Sequence, residues 1–360
     1  MILDDAKTKV STWLLDHALP LWAERGVDAN GRFYEQLDFD ARPVIGVRRR
    51  TRVQARQIYV FCEAARLGWG GGRTVAQAAL DRMIATCRRD DGLWVAATDD
   101  AGDVLDDTPD LYDLAFVLFA LAAAHRTLGD DRARPLALET LAAIDRLMAA
   151  PHGGWAEAVP ARLPRRQNPH MHLLEAMLAW QAIAPHPAFE AAARTALDLC
   201  RSHFLIDGAI HEYFTADWTP DPTTGHIVEP GHFEEWAWLL RQAQIAGFET
   251  VDVAEDLHRR AIAQGLKDGA MIREMDVAGA PLDAGRRLWA QTEAIRTALM
   301  FGDPGAGDLI ERVFTTHLAT PIPGLWIDSY DATGASQDKA APASSLYHLM
   351  TAFSELLRHR

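Results

Sequence analysis

The segment DGLWVAATD, residues 91–99, joins a turn to a short alternating apolar stretch, and similar segments recur along the chain. A turn residue followed by glycine and an alternating apolar pattern is typical of a short strand or hairpin. The five related segments are NGRFYEQLD (30–38), HGGWAEAVP (152–160), DGAIHEYFT (207–215), DGAMIREMD (268–276) and PGLWIDSYD (323–331). Their aligned glycines, Gly31, Gly92, Gly153, Gly208, Gly269 and Gly324, are spaced 61, 61, 55, 61 and 55 residues apart. This spacing indicates six structural repeats.

Two helical patterns lie between each pair of consecutive turns, one precedes the first turn and one follows the last. The predicted helices span 4–24, 51–68, 74–89, 110–128, 132–150, 168–184, 187–203, 231–247, 251–266, 285–301, 305–318 and 342–358. A helix pair cannot bury both of its apolar faces alone, whereas six pairs stacked in a ring share one continuous core. The sequence therefore predicts an all-α fold, an (α/α)6 barrel of twelve helices with short β-hairpin loops at one end. We expect it to form a single domain over residues 1–360.

Composition excludes several classes of partner. The 360 residues are 49% hydrophobic and carry a formal net charge of −14, which argues against binding nucleic acid or an anionic membrane. Cys62, Cys87 and Cys200 have no C-x-x-C spacing, so neither a disulfide framework nor a zinc site is indicated. The apolar run 114–124 is too short to span a bilayer and predicts a buried helix. Because the N-terminus does not resemble a signal peptide, we expect a cytoplasmic protein.

Polar side chains cluster in the early or middle turns of the even-numbered predicted helices. They are Arg52, Arg56, Asp110, Tyr112, Asp113, Asn168, His170, His172, His232, Glu235, Trp289, Gln291, Glu293, Tyr347 and His348. Even-numbered helices usually form the inner ring of such a barrel, with their starts facing the loops. These side chains should therefore converge on one pocket, where flat rings such as that of Trp289 suit the C–H faces of sugars.

Some of these residues also have purely structural interpretations. A lone helical histidine is commonly a hydrogen-bonded core residue, but His232 and His348 occupy equivalent positions in the repeat, which favours a function. Glu235 lies one turn after His232 and is predicted to fix the tautomer of that imidazole. The alternatives are a solvated carboxylate for Glu235 and a surface salt bridge for Arg56. No HExxH motif or dense carboxylate cluster is present, so we expect no metal and no other cofactor.

Several motifs resemble one known family. The motifs are RTRVQARQIYVF (51–62), DLYDLAF (110–116), NPHMHLLEA (168–176), EPGHFEEWAWLL (229–240), LWAQTEA (288–294) and SSLYHL (344–349), together with the six turns. They resemble the N-acylglucosamine 2-epimerase superfamily of (α/α)6 barrels, which includes mannose isomerases, sulfoquinovose isomerase and cellobiose 2-epimerases. The resemblance covers essentially the whole chain, and NPHMHLLEA is most similar to the mannose isomerase branch.

The resemblance also has departures. Cellobiose epimerases typically have a Trp-Trp pair where this chain has Leu288 and Trp289, which weakens a disaccharide interpretation. Residues 218–231 contain no Arg or Lys, whereas sulfoquinovose isomerase uses an additional arginine there for the sulfonate. The shorter chain also fits a mannose isomerase better than an N-acyl sugar epimerase.

The resemblance implies proton transfer next to a carbonyl. It makes His232 and His348 the catalytic histidines, and its other matching positions are Arg56, Tyr112, Asn168, His172, Glu235 and Glu293. We expect interconversion of free D-mannose, or a similar aldose, and D-fructose through a cis-enediolate. In this hypothesis His348 is the C2/C1 base, and His232, oriented by Glu235, is its acid/base partner. Arg56 stabilises the enediolate oxygen, while His172, Asn168, Tyr112 and Glu293 hold hydroxyls and assist ring opening.

Other functions remain open at this stage. A sugar 2-epimerase protonates the planar intermediate from both faces, which two histidines across a pocket also permit. A glycoside hydrolase would use Glu235 and Glu293 as its pair of acids, and a non-catalytic sugar-binding protein would bind without exchanging the C2 hydrogen. In each case the partner is a small sugar, and the chain is expected to be a monomer or homodimer.

Overall fold

The structure, a computed structural model, describes residues 1–359 of the chain. Within these residues we number twelve helices α1 to α12. The first, α1 (3–25), consists of Leu3–Ser11, the π-helical stretch Thr12–Ala18 and Leu19–Arg25. The others are α2 (Thr51–Arg66), α3 (Gly72–Cys87), α4 (Leu111–Leu128), α5 (Ala133–Leu147), α6 (Asn168–Ile183), α7 (Pro187–Leu199, continued by π-helical Cys200–Phe204), α8 (Pro230–Ile245), α9 (Ala254–Arg260, continued by π-helical Ala261–Gly265), α10 (Leu288–Phe301), α11 (Ala306–Thr315) and α12 (Ser345–Arg358).

The even-numbered helices form a closed inner ring. Each contacts the next in the order α2, α4, α6, α8, α10 and α12, and α12 contacts α2. Odd-numbered helices pack against the outside of this ring, so the inner helices are buried on most faces. In α4, for example, 78% of the residues are buried, and this confirms the buried helix predicted from the apolar run 114–124. The predicted (α/α)6 barrel is confirmed.

Short strands form a rim at one end of the barrel. They are Gln36–Asp38, Arg49–Arg50, Ala97–Thr98, Val104–Asp106, Arg165–Arg166, Leu205–Ile206, Ala209–Ile210, Tyr213–Phe214, Ile227–Val228, Leu266–Lys267, Ala270–Met271, Glu274–Asp276, Pro281–Asp283, Arg286–Arg287, Ser329–Tyr330 and Ala340–Pro342. Local hairpins occur, as predicted, but much of the pairing joins neighbouring repeats.

The pairing between repeats follows one rule. The residues just before an inner helix pair antiparallel with the turn segment of the next repeat. For example, Arg49–Arg50, before α2, pairs with Ala97–Thr98, and Arg165–Arg166, before α6, pairs with Tyr213–Phe214. The last segment, Ala340–Pro342, pairs with the first repeat's Gln36–Asp38 and closes the ring. The rim therefore links every inner-helix start to the neighbouring turn.

The aligned glycines have a common backbone requirement. All of them adopt positive φ, from +72° at Gly208 to +97° at Gly324, a region that residues with a Cβ reach only with strain. This conformation explains why glycine recurs at the same point of every repeat.

Two inner helices begin later than predicted. Helix α10 starts at Leu288 instead of 285, and α12 starts at Ser345 instead of 342. In both cases the preceding residues, Arg286–Arg287 and Ala340–Pro342, are used as rim strands. Tertiary pairing across the rim outweighs the helical pattern at these positions.

Candidate active site

The inner helices enclose a cavity of about 160 Å3 at the rim end of the barrel. Its lining residues come from the N-terminal halves of the inner helices and from the segments that precede them. They are Arg56, Tyr112, Asn168, His172, Glu229, His232, Glu235, Arg287, Trp289, Ser344, Ser345 and His348. The structure thus brings together eight of the fifteen side chains that the sequence predicted to converge. The other seven do not line the cavity, and they are Arg52, Asp110, Asp113, His170, Gln291, Glu293 and Tyr347. Of these, Glu293 lies behind His348 and contacts its ring.

Two of the structural alternatives from the sequence are wrong. Glu235 is 4% exposed and is not a solvated carboxylate, and Arg56 is 6% exposed and is not part of a surface salt bridge. Burial raises the pKa of Glu235 well above its usual range, and the neighbouring carboxylate of Glu293 adds to the rise. This rise favours the protonated form of Glu235, which can donate a hydrogen bond into the cavity.

His232 is held by a carboxylate that the sequence did not indicate. Its Nδ1 lies 2.9 Å from Oε2 of Glu212, and the two groups form an ion pair. Glu235, expected to orient this ring, instead lies 3.8 Å from the other nitrogen, Nε2. Burial alone would lower the pKa of His232, but Glu212 and then Glu229 outweigh burial and raise this pKa to about 10. His232 is therefore an imidazolium at neutral pH.

The side chain of Asn168 can form a hydrogen bond with His232 in either protonation state of the ring. Its side-chain amide lies 3.1 Å from Nε2 of His232. Rotation of the amide by half a turn exchanges its donor and acceptor. Asn168 can thus accept a hydrogen bond from the imidazolium and donate one to the neutral ring.

His348 has the opposite protonation state. Its Nδ1 lies 2.7 Å from Oε1 of Glu293. Burial lowers the pKa of His348 well below its ordinary value, and Arg56 and then His172 lower it further. The ring is neutral at neutral pH, and because Nδ1 faces Glu293, Nε2 is the nitrogen left to accept a proton.

Trp289 lies between the two histidines. Its ring centroid is 4.9 Å from that of His232 and 6.0 Å from that of His348. The indole is half-buried and forms an apolar wall between an acidic and a basic imidazole. A sugar ring resting on this wall would have one histidine toward each of its ends.

Arg56 lies in an aromatic box. Its guanidinium donates to the hydroxyl of Tyr112 at 2.6 Å and lies 4.0 Å above the ring of Phe116. The ring of Tyr347 is 5.1 Å away. These contacts hold a permanent cation at the cavity wall without a carboxylate to neutralise it, so its charge remains available to an anionic intermediate.

Three buried charged side chains form a row beneath the cavity. We call this row, Glu175, Arg296 and Glu293, the charged partition. Glu175 contacts Nδ1 of His172 at 3.3 Å and accepts from the hydroxyl of Tyr347. Arg296 lies 3.3 Å from Glu175 and 3.4 Å from Glu293. Since Glu293 binds His348, the charged partition connects two histidines of the cavity through one guanidinium.

Glu212, Glu229 and Arg287 were missed by sequence reasoning. Glu229 and Arg287 precede α8 and α10, and Glu212 belongs to a turn segment, whereas the polar pattern in the sequence points to the inner helices. A signal for Glu212 does exist in the repeat. An acidic residue is the fourth after the aligned glycine in four turns, as Glu35, Glu157, Glu212 and Asp328. These carboxylates contact Arg50, Arg166, His232 and Arg287 respectively, each at or just before the start of an inner helix.

Two clusters in the site, each of two carboxylates and one histidine, contain the residue types that bind metal ions. Glu212, Glu229 and His232 form one, and Glu235, Glu293 and His348 form the other, each with ligand atoms within 4.8 Å of one another. In both groups, however, a histidine nitrogen already faces a carboxylate of the same group. A metal would require deprotonated ligands and would replace these contacts. The same carboxylate oxygens and imidazole nitrogens can bind either a metal cation or a proton that they share.

Comparison with known proteins identifies the family. A family model described as N-acylglucosamine 2-epimerase (GlcNAc 2-epimerase) matches residues 31–352. The chain belongs to this family. It is 35% identical over 383 residues to a protein of Rhizobium meliloti (strain 1021) named mannose-6-phosphate isomerase, covering 97% of this chain and 96% of that protein. It is 30% identical over 325 residues to a D-mannose isomerase of Thermobifida fusca, covering 79% of this chain and 77% of that protein.

A solved structure has the same fold. The cellobiose 2-epimerase of Bacillus thermoamylovorans B4167 matches with a TM-score of 0.88, covering 99% of this chain and 100% of that chain, at 19% identity. Together with the family match, these relatives make this N-acylglucosamine 2-epimerase family member a sugar isomerase or epimerase.

Proposed function

We propose that this enzyme interconverts free D-mannose and D-fructose by proton transfer through a cis-enediolate. The observation that carries the proposal is the pair of buried histidines, His232 and His348, which lie on either side of Trp289 and each have Nδ1 against a carboxylate. Proton transfer next to a carbonyl requires a base and an acid poised in one cavity.

His348 acts as the base. Its neutral ring accepts the C2 proton on Nε2, and the charge that develops on the ring is stabilised by the carboxylate of Glu293 at Nδ1. The same nitrogen returns the proton to C1 while the C2 hydroxyl gives its proton to the now neutral His232, so both histidines regain their starting states and one base serves both carbon atoms.

His232 acts as the acid. As an imidazolium it donates a proton to the ring oxygen during ring opening, or to the carbonyl oxygen as the enediolate forms. Glu212 and Glu229 hold this proton on the ring until the substrate takes it. Asn168 remains hydrogen-bonded to Nε2 before and after the transfer by rotating its amide.

Negative charge on the intermediate is stabilised in two ways. Arg56 presents its guanidinium at the cavity wall, and the first turns of α4, α6, α8 and α12 direct their positive dipole ends toward the cavity. Tyr112 and His172 line the cavity and hold hydroxyls, while Trp289 packs against the sugar ring. Glu293 supports His348 rather than a substrate hydroxyl.

The charge of the cavity favours an unphosphorylated sugar. Glu229 and Glu235 both line it, Arg56 lies among aromatic rings, and Arg287 already pairs with Asp328 at 3.1 Å. A dianionic phosphate would be repelled by the charged form of either carboxyl group. Mannose 6-phosphate is nevertheless the second candidate substrate, because Arg287 is 46% exposed at the mouth and the relative from Rhizobium meliloti is named for that sugar.

The outcome at C2 distinguishes isomerase from epimerase. Both Rhizobium meliloti and Thermobifida fusca relatives have isomerase names, which favours ketose formation. A 2-epimerase would use the imidazolium of His232 to protonate the opposite face of C2. A glycoside hydrolase would leave the two histidines without a role.

The test follows the sugars by proton NMR in D2O. EDTA-treated enzyme of measured metal content is incubated with D-mannose and, in parallel, with D-mannose 6-phosphate. Fructose forming from mannose at the higher kcat/KM supports the proposal. Glucose forming directly with deuterium at C2 would replace it with a 2-epimerase, and a preference for the phosphorylated sugar would replace the substrate. Loss of activity on EDTA treatment, restored by a divalent cation, would assign a metal role to one of the two carboxylate–histidine groups.

A further inference from the structure

A second cavity occupies the opposite end of the barrel. Its volume is about 640 Å3, against about 160 Å3 for the catalytic cavity. It is lined by the C-terminal halves of the inner helices, with Glu63 and Arg66 from α2, Arg126 from α4 and Arg358 from α12. We call it the rear cavity. The charged partition separates it from the catalytic cavity, because Glu175 and Arg296 belong to its wall.

Guanidinium groups crowd one side of the rear cavity. Arg66 and Arg126 lie 2.8 Å and 3.0 Å from Oε2 of Glu63, and Arg358 donates to Oε1. Glu63 is 1% exposed, whereas the three arginines are one-third to nearly one-half exposed. Within residues 1–359, each side-chain hydrogen bond of these three guanidiniums ends on Glu63. Since each guanidinium has five N–H donors, most of these donors are free for another acceptor.

The charges of the rear cavity favour an anion. One carboxylate, that of Glu63, faces three arginines, and the charge of Glu355, which also lines the rear cavity, offsets a second of them. The inner-helix C-termini also oppose an anion, but each contributes only about half an elementary charge that is screened by water. Burial lowers the pKa of Arg126, and the charge of Arg66 lowers it further. An anion placed between these guanidiniums would relieve that repulsion, in a chain whose formal net charge is −14.

The other side of the rear cavity suits a sugar or similar ring. Trp238 lies beneath Arg296, whose guanidinium carbon is 3.4 Å from the ring centroid, and Tyr59 stacks on Phe119 at 4.6 Å. Gln242, on the same wall, adds an amide donor and acceptor. A ligand with a charged end and a flat or hydroxylated body would satisfy both sides.

We propose that the rear cavity binds a small phosphate-bearing anion of the sugar-phosphate type. The phosphate lies among Arg66, Arg126 and Arg358, where charge-assisted hydrogen bonds are strongest. The body of the ligand lies against Trp238. This site is separate from the catalytic cavity and does not depend on the reaction catalysed there.

Binding is measured by isothermal titration calorimetry in phosphate-free buffer, with inorganic phosphate and glucose 6-phosphate as probes. Both bind the wild-type enzyme, glucose 6-phosphate more tightly because it also contacts the aromatic wall. The double variant Arg126→Gln/Arg358→Gln weakens binding by about tenfold or more, since two charge-assisted bonds are lost. The matched control is Arg259→Gln, an exposed arginine of α9 that pairs with Asp256, and it leaves the affinity unchanged.

A second comparison separates this site from the catalytic cavity. The titration is repeated with His348→Asn and with wild-type enzyme saturated with D-mannose, and binding persists in both. Circular dichroism checks that the double variant is folded. If it is not, the single variant Arg126→Gln, which leaves Glu63 with two arginines, is used in its place. Unchanged affinity in the folded arginine variants, displacement by D-mannose, or absence of binding at millimolar concentrations of both probes would overturn the proposal.

Discussion

His232 and His348 have the same side chain and a carboxylate at the same ring nitrogen, yet they hold protons differently. Beside His232, Glu212 is reinforced by a second carboxylate, Glu229. Beside His348, the charge of Glu293 is opposed by Arg296, and Arg56 and His172 add positive character. Because burial acts on both rings, the charges around each ring decide whether its imidazole is an acid or a base.

Replacing the base should abolish turnover without unfolding the enzyme. In His348→Asn the amide keeps a donor for Glu293 but has no basic nitrogen, so kcat should fall by about 10²–10⁴-fold. Exchange of the C2 hydrogen with D2O, followed by NMR, measures this loss. The control is His170→Asn, because His170 lies outside the cavity and accepts a hydrogen bond from the backbone N–H of Trp155. This control should lower Tm and leave kcat of the folded enzyme near that of the wild type. Wild-type exchange in His348→Asn would remove His348 from the mechanism.

The proton on His232 should depend on Glu212. The pKa of His232 is raised, so its acid form is present below that value and is lost as the pH rises through it. In Glu212→Gln the raised pKa falls, and the alkaline limb of the kcat profile moves to lower pH. The matched control, Glu35→Gln, removes the carboxylate at the same position of the first repeat, where it binds Arg50. A profile that shifts equally in both variants would contradict this role.

At the scale of elements, the rim determines where the active-site residues meet. Each segment before an inner helix pairs with the next turn, so a carboxylate of one repeat reaches the start of a helix in another. Glu212, for example, follows Ala209–Ile210 and precedes Tyr213–Phe214, which pairs with the residues before α6. From there Glu212 accepts from the side chain of Gln167 and contacts His232 of α8.

Two aligned glycines test how closely these turns pack on the outer helices. Gly324 and Gly153 both have positive φ, +97° and +87°, so alanine costs about 1–2 kcal/mol of strain at either. A Cβ at Gly324 would also lie 3.0 Å from the backbone of Ala18 in α1, whereas a Cβ at Gly153 meets nothing within 4 Å. Thermal unfolding should show the larger loss of Tm for Gly324→Ala. Equal losses would mean that the contact with α1 relaxes freely.

The sequence predicts these elements better than it predicts their contacts. The period of the glycine turns gives six repeats, and equivalent positions in them identify His232 and His348. The residues that contact those histidines are harder to predict from the sequence. An acidic residue recurs at the position of Glu212 in four turns, but the contacts of Glu212 with Gln167 and His232 follow from the rim pairing. Helical spacing shows that Glu293 faces inward, but not that His348 lies in front of it.

At the scale of the whole molecule, the parallel inner helices give the barrel two unlike ends. Their N-terminal halves line the catalytic cavity and their C-terminal halves line the rear cavity. The charged partition of Glu175, Arg296 and Glu293 lies between them. Arg296 is 5% exposed and neutralises two carboxylates at once, so both histidines in contact with those carboxylates depend on one buried guanidinium.

Arg296 should therefore set the pH range in which His348 works, although it does not line the catalytic cavity. Burial raises the pKa of Glu293 to about 7, and Arg296 opposes that rise. In Arg296→Met the opposition is lost and the pKa of Glu293 rises further. Glu293 then keeps its proton at neutral pH and no longer stabilises the imidazolium that forms on His348. The acid limb of the kcat profile should move to higher pH, while KM changes little and activity recovers on the alkaline side.

The control for this prediction is another guanidinium of an inner helix. Arg126→Met removes a cation that pairs with Glu63 at the far end of the barrel, so the kcat profile should stay in place even if Tm falls. Losing one partner of a buried ion pair costs about 3–5 kcal/mol, and Arg296→Lys, which keeps the charge, provides a more stable variant with a smaller shift. A uniform loss of kcat at every pH in Arg296→Met, with no displacement of the acid limb, would reduce Arg296 to a purely structural residue. A displaced limb that Arg296→Lys partly restores would establish that the charge of Arg296 acts on His348 through Glu293.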